Sequence, residues 1–253
     1  MPRIYSPSEI QAVGLSGKIL AEVIKALKKE AKEGVSLRQL DGLAYRLIKE
    51  KGAEPAFLGY RPDAGSRPFG ASICASVNDV VVHGFPSDYK LKSGDILKID
   101  AGVKYNGFFS DSALTVGIGK ISKEAEFLIK ATKQALEKAV KEMKAGKTLG
   151  DIGSAIQKIA ERSKLGVIKE LTGHGIGLEL HEEPTVYNFG KKGSGLKLEK
   201  GMVLALEPMF SLGSNRVLQL PDESWATSDG SLSAHFEHTV AVTENGPRIL
   251  TLY

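Results

Sequence analysis

Leu91-Lys-Ser-Gly94-Asp-Ile-Leu97-Lys-Ile-Asp100 and Leu198-Glu-Lys-Gly201-Met-Val-Leu204-Ala-Leu-Glu207 are one ten-residue pattern written twice. Each runs from a leucine through a turn glycine and an apolar strand to a terminal carboxylate. A second pair, Val82-His83-Gly-Phe-Pro86 and Leu180-His181-Glu-Glu-Pro184, repeats in the same way. Chance rarely sets both glycines, both leucines and both terminal acids in step. The chain therefore reads as a duplicated unit in which equivalent strand ends, each carrying an acid, converge on one central site. Two copies of a half-length unit are too few and too long for a solenoid.

Working outward, Ser6-Pro7-Ser8-Glu9 combines a cap residue, a proline at the first helical position and a glutamate three residues on, which opens a helix expected to stop at Gly34. A second helix is predicted from Ser36 to about Lys51, a third from Ser122 to Gly146 and a fourth from Thr148 to about Lys164. Residues 71–82, 95–103, 113–118, 202–210 and 239–243 read as strands, and 61–70 as a surface loop. Helix, helix, strands thus occurs twice. The expected fold is α/β (α+β), with duplicated two-helix plus antiparallel-strand units around a pseudo-twofold axis. No Ser-, Pro- or Gly-rich linker divides it, so 1–253 is expected to be one domain, with halves of about 1–120 and 121–253.

Composition narrows the chemistry. With 42% hydrophobic and 25% charged residues, the chain has an ordinary globular make-up. A formal charge of +4 is too small to argue for nucleic acid, and no apolar run is long enough to span a membrane. The N-terminus lacks a signal-peptide pattern, so a cytoplasmic protein is expected. A single cysteine, Cys74, excludes a disulfide framework and a multi-cysteine zinc module, so any metal would be held by His, Asp and Glu.

Those residue types cluster. Asp100 closes an apolar strand, and burying an unpaired carboxylate is costly. Asp111 follows the hairpin signal Asn106-Gly107, so the two acids are expected to face each other on adjacent antiparallel strands, where like charges need a cation between them. Gly173-His174-Gly175 brings an imidazole close to a ligand, with His181 seven residues on. Glu207 precedes Pro208 at a strand end, and alternation through Phe236-Glu237-His238-Thr239-Val240 sends Glu237 inward. Four carboxylates and one imidazole carry about four negative charges, which two divalent cations neutralise; oxygen ligands with one His suit Mn, Fe, Co or Zn.

Ser76-Val-Asn78-Asp-Val-Val-Val-His83-Gly, Gly94-Asp-Ile-Leu-Lys-Ile-Asp100, Thr172-Gly-His174-Gly-Ile-Gly, His181-Glu-Glu-Pro, Glu207-Pro-Met and Glu237-His-Thr-Val closely resemble the motifs of the methionine aminopeptidases, within the wider pita-bread metallopeptidase family that also holds aminopeptidase P and prolidase. The resemblance covers essentially the whole chain. It implies the pita-bread fold, and metal ligands Asp100, Asp111, His174, Glu207 and Glu237, with Asp111 and Glu237 bridging two divalent ions. It further implies hydrolysis of the first peptide bond by water activated at the metal pair, with Glu207 as proton shuttle, His181 donating to the substrate carbonyl and His83 contacting substrate beside the scissile bond. The implied activity is removal of initiator methionine from nascent chains with a small second residue, by a monomer of the short type I kind that makes a transient ribosome contact. Phe57, Tyr60, Cys74 and Trp225 are the implied walls of the methionine pocket. Phe57 stands where bacterial relatives commonly have cysteine, and His235 where they have glutamine. A proline-specific aminopeptidase of the same fold and a non-catalytic binding member are the alternatives; the second conflicts with the presence of all five ligand residue types.

Overall fold

The structure is a computed structural model, describing residues 2–61 and 67–253. Of the loop expected over 61–70, residues 62–66 therefore lie outside the described residues. The described residues form four helices: α1 (Pro7–Glu30), α2 (Leu37–Glu50), α3 (Lys123–Glu142) and α4 (Leu149–Ser163). The strands are β1 (Glu54–Pro55), β2 (Ile73–Val77), β3 (Val80–Val82), β4 (Ile96–Tyr105), β5 (Phe108–Gly117), β6 (Gly166–Val167), β7 (Gly173–Gly175) and β8 (Glu182–Val186). They continue as β9 (Val203–Leu206), β10 (Met209–Ser211), β11 (Val217–Gln219), β12 (Trp225–Thr227), β13 (Ser233–His235), β14 (His238–Thr243) and β15 (Gly246–Ile249). Every strand pairing is antiparallel.

The helix starts follow the sequence. Ser6, Ser36 and Thr148 each form a capping box, and Ser122 accepts from the Ala125 N–H. Two ends come earlier than expected: α1 stops at Glu30 and α3 at Glu142, because the chain turns before it reaches the glycines. The expected strand over 71–82 is broken at Asn78, whose φ is 53° and whose side chain accepts from Ile96 N–H and donates to Asp95. The strand over 202–210 is likewise divided at Glu207-Pro208.

In the first half, β4 is the spine, with β5 on one edge and both β1 and β2 on the other. The second half builds a sheet in the order β15-β14-β9-β7-β8. The duplication is visible in backbone detail. Gly34 N–H donates to Leu91 C=O and Leu91 N–H to Val35 C=O; in the other half Gly146 donates to Leu198 and Leu198 to Lys147. Thus the leucine that opens each repeat pins the turn between that half's two helices. A single apolar cluster then draws on both halves: Leu20, Ile24 and Leu27 of α1, Leu40 and Ile48 of α2, Leu97 and Ile99 of β4, Leu128 and Leu136 of α3, Ile156 of α4, and Leu204 and Val240 of β9 and β14. Each such side chain, once fully buried, contributes about 1.5–3 kcal/mol. Among the described residues no helix is long and apolar enough to cross a membrane.

The two sheets meet along a seam of side-chain hydroxyls. Thr239 Oγ1 accepts from Asp111 N–H at 2.9 Å and donates to Asp111 C=O at 2.8 Å. Four residues along each chain, Thr115 Oγ1 accepts from His235 N–H at 2.9 Å and donates to His235 C=O at 2.7 Å. Between them Glu237 N–H donates to Ala113 C=O at 2.9 Å, and Ser112 Oγ donates to Glu237 C=O at 2.8 Å. The segment 235–239 therefore runs antiparallel beside β5, with threonines standing in for backbone partners. This satisfies the polar backbone of a junction that water does not reach.

Candidate metal centre

Asn106 and Gly107 form the two-residue turn joining β4 to β5, and both have positive φ (50° and 82°), as a type I′ hairpin requires. The turn sets Tyr105 opposite Phe108, and the register that follows puts Asp111 opposite Gly102 and Asp100 opposite Ala113. The two acids consequently do not stand directly opposite, as expected from sequence; they are diagonal neighbours on the same face of the hairpin. Strand alternation keeps them on that face. Diagonal side chains still interact, so the like charges of Asp100 and Asp111 repel unless a proton or a cation lies between them.

The other half delivers its groups by the same geometry. His174 of β7 pairs with Ala205 of β9, which pairs on its other edge with Thr239 of β14. His174 is flanked by glycines because the backbones there approach closely: a Cβ at Gly175 would lie 2.3 Å from the Glu183 carbonyl oxygen. Glu207 and Glu237 sit just beyond the paired ends of β9 and β14. Because Thr239 holds Asp111 at the seam, groups from both halves meet there. Ligand atoms of Asp111, His174 and Glu237 all lie within 4.8 Å of one another. His174 Nε2 is 3.6 Å from Glu207 Oε1.

Electrostatics in this cluster is unfavourable without a cation. Burial leaves Asp100 pushed up to about 7. Asp111 rises well above the usual carboxylate range through burial and the charges of Glu237 and Asp100. Glu207 and Glu237 rise likewise, from burial and then from the neighbouring carboxylates. Two of their oxygens, Asp100 Oδ1 and Glu237 Oε1, are buried with no hydrogen-bond partner. His174 is oriented to complete the set: its Nδ1 lies 2.8 Å from the Gly175 carbonyl oxygen, to which it donates, and burial lowers its pKa to about 4. That leaves Nε2 as a neutral lone pair turned toward Glu207, the state in which imidazole binds metal. Four hard oxygen donors and one imidazole, with orphaned carboxylate oxygens among them, fit divalent first-row ions.

Around this floor the other residues picked out from sequence take distinct places. His181 is exposed above it, its ring centroid 4.3 Å from that of His174, and its Nδ1 is 2.5 Å from the Tyr60 hydroxyl. Enclosure by protein, then the nearby His174 and His83, lowers its pKa to about 3. His83, also open on this side, has a left-handed backbone (φ 59°) at the end of β3, and its backbone hydrogen-bonds the buried Cys74 thiol. Phe57, Tyr60 and Cys74 share an apolar cluster with Phe69, Phe108 and Phe109. Trp225 is not among them: it pairs with Val82, next to His83, and packs with Val81, Ile168 and Met209.

Several contacts had no signature in the sequence. Glu182 accepts from Tyr5 Oη–H (2.6 Å to Oε1), Leu178 N–H and Glu179 N–H (both 2.9 Å), tying the N-terminal segment to the turn that carries His181. Lys98 is buried two residues before Asp100, donating to Asn78 C=O at 2.6 Å, and burial lowers its pKa to about 7. His235, fully buried, reaches within 3.8 Å of Glu207 Oε2 with neither ring nitrogen otherwise paired. Such contacts link positions far apart along the chain, so periodicity and spacing do not reveal them.

Comparison with known proteins agrees with this geometry. Residues 11–244 match the model of metallopeptidase family M24. The methionine aminopeptidase of Clostridium perfringens is 47% identical over 251 residues, 98% of each chain; methionine aminopeptidase 1 of Bacillus subtilis is 44% identical over 248 residues, 97% of each. The crystal structure of the Thermotoga maritima methionine aminopeptidase superposes over 100% of both chains with a TM-score of 0.95 at 40% identity. Prolidase from Pyrococcus furiosus shares the fold, with a TM-score of 0.76 at 24% identity over 99% of this chain and 65% of its own. The full-length match and the pita-bread architecture place this chain in metallopeptidase family M24, in its methionine aminopeptidase branch, as a peptide hydrolase.

Proposed function

We propose that the chain removes the N-terminal methionine from peptides and nascent proteins whose second residue is small, using two divalent ions held by Asp100, Asp111, His174, Glu207 and Glu237. The observation that carries this reading is the gathering of three buried acids, a partly buried fourth and one neutral imidazole where the two halves meet, a cluster whose charge bound cations would neutralise. A metal pair there supplies Lewis acidity, lowering the pKa of water and stabilising negative charge on the scissile carbonyl oxygen.

The chain's own groups do the rest. Glu207, partly buried between two imidazoles, takes the proton from the attacking water and returns it to the leaving amine. His181, neutral and open above the acids, donates to the carbonyl oxygen as charge develops on it. His83 contacts the substrate beside the scissile bond, and Phe57, Tyr60 and Cys74 enclose the methionine side chain, with Trp225 paired to Val82, the residue before His83. A free α-amino group binding at the acids restricts cleavage to the first residue. The one-domain organisation over 1–253 is supported by the large apolar cluster that draws on both halves.

Turnover on a panel of N-terminal residues, with metal content determined in parallel, tests this. Release of methionine from Met-Gly-Met and Met-Ala-Ser with Mn or Co, and its loss on chelation, is the expected result. Preferential cleavage of Ala-Pro peptides would instead assign a proline-specific activity, and no cleavage of any peptide by metal-loaded protein would favour a binding role.

A further inference from the structure

The family resemblance makes Tyr60 a wall of the methionine pocket, yet its hydroxyl sits 2.5 Å from Nδ1 of His181, with the two ring centroids 5.0 Å apart. A neutral imidazole carries a single N–H, and the atom that bears it is set by whatever the other nitrogen bonds. An imidazole of ordinary pKa, about 6.5, is mostly neutral above pH 7. Tyr60 stays protonated, since burial and the nearby Glu179 raise its pKa. Two arrangements then remain. If Nδ1 bears the proton it donates to the tyrosine oxygen, and Nε2 turns a bare lone pair toward any substrate carbonyl, which repels it. If the tyrosine O–H donates to Nδ1, the imidazole proton is on Nε2, where it can donate to that carbonyl.

We propose that Tyr60 is a positioning residue that fixes His181 in its Nε2–H form, so that the ring presents a donor to the substrate oxygen. This rests on the proposed peptidase role of His181. Tyr60 touches no reacting atom in this account; it acts through the ring. Removing its hydroxyl leaves the phenyl surface in place, which separates this role from pocket lining.

A double-mutant cycle on the metal-loaded protein, with Met-Ala-Ser as substrate, tests the idea. Tyr60→Phe should lower kcat roughly tenfold with KM changed by less than about twofold, and should cost nothing further in a His181→Gln background. A second readout is the imidazole nitrogen spectrum of the zinc-loaded, 15N-labelled protein, with the His181 signals assigned by their loss in His181→Gln. In the parent His181 should show a protonated Nε2 and a bare Nδ1; in Tyr60→Phe that preference should weaken. Equal kcat losses from Tyr60→Phe in both backgrounds, or a protonated Nδ1 in the parent, would overturn the inference. An undiminished kcat in His181→Gln would overturn the role of His181 itself, a distinguishable failure.

Discussion

At Glu207 one carboxylate meets two imidazoles, His174 3.6 Å from Oε1 and His235 3.8 Å from Oε2. A group so placed is held in position to move a proton, and Glu207→Gln, which keeps the shape and removes the base, should lower kcat by about 10²–10⁴ while the circular dichroism spectrum stays unchanged. The acids around it also set a pH dependence. Their pKa values are raised by burial and by one another's charge, Asp100 to about 7, so protons compete with a cation for the site. Affinity for Mn should therefore strengthen as pH rises from 6 to 8, with protons released on binding. Calorimetry in two buffers of different ionisation enthalpy measures both; affinity independent of pH would contradict that competition. The residue types of this site were legible because acids at apolar strand ends are anomalous. The Glu182 clamp and the neighbour of Glu207 were not, since Tyr5 and Glu182, or Glu207 and His235, meet only through the fold.

Among the elements, the β4–β5 hairpin was readable from Asn106-Gly107 alone, and its two-residue turn explains why Asp100 and Asp111 are diagonal and not opposed. Turn chemistry gives register once the turn length is known, and here the register decides which acids touch. The seam was not readable: Thr239 and Thr115 look like ordinary strand threonines, and only the adjacency of β5 and 235–239 reveals them as backbone partners. Thr239→Val keeps the shape but leaves the buried N–H and C=O of Asp111 without a partner. A loss of about 2–6 kcal/mol is expected, from about 1–3 for each unsatisfied group, readable as a shift in the denaturant midpoint. Weaker Mn binding should accompany it, because Asp111 loses its tether. A substitution that changed neither would show that the hydroxyl seam does not hold the halves in register.

For the molecule as a whole, duplication explains why one site forms at all. Two copies of a strand ending in an acid are brought face to face by a shared apolar core, and each copy keeps its own leucine-to-turn anchor, Leu91 in one half and Leu198 in the other. The repeat was legible from ten aligned residues; where the copies break symmetry, as with His174 and the β7–β8 edge of the second sheet, the sequence showed glycines and a histidine but not the close backbone approach that demands them. Since ligands come from both halves, metal should stabilise the entire fold. At a concentration a hundred times Kd the gain is about 2.7 kcal/mol, or roughly 5–10 °C in Tm for a chain of this size. The most direct test of the central claim is methionine release from Met-Gly-Met by metal-stripped protein as Mn is titrated back. No release without metal and recovery on addition are expected; release that persists under chelation would show that hydrolysis needs no metal.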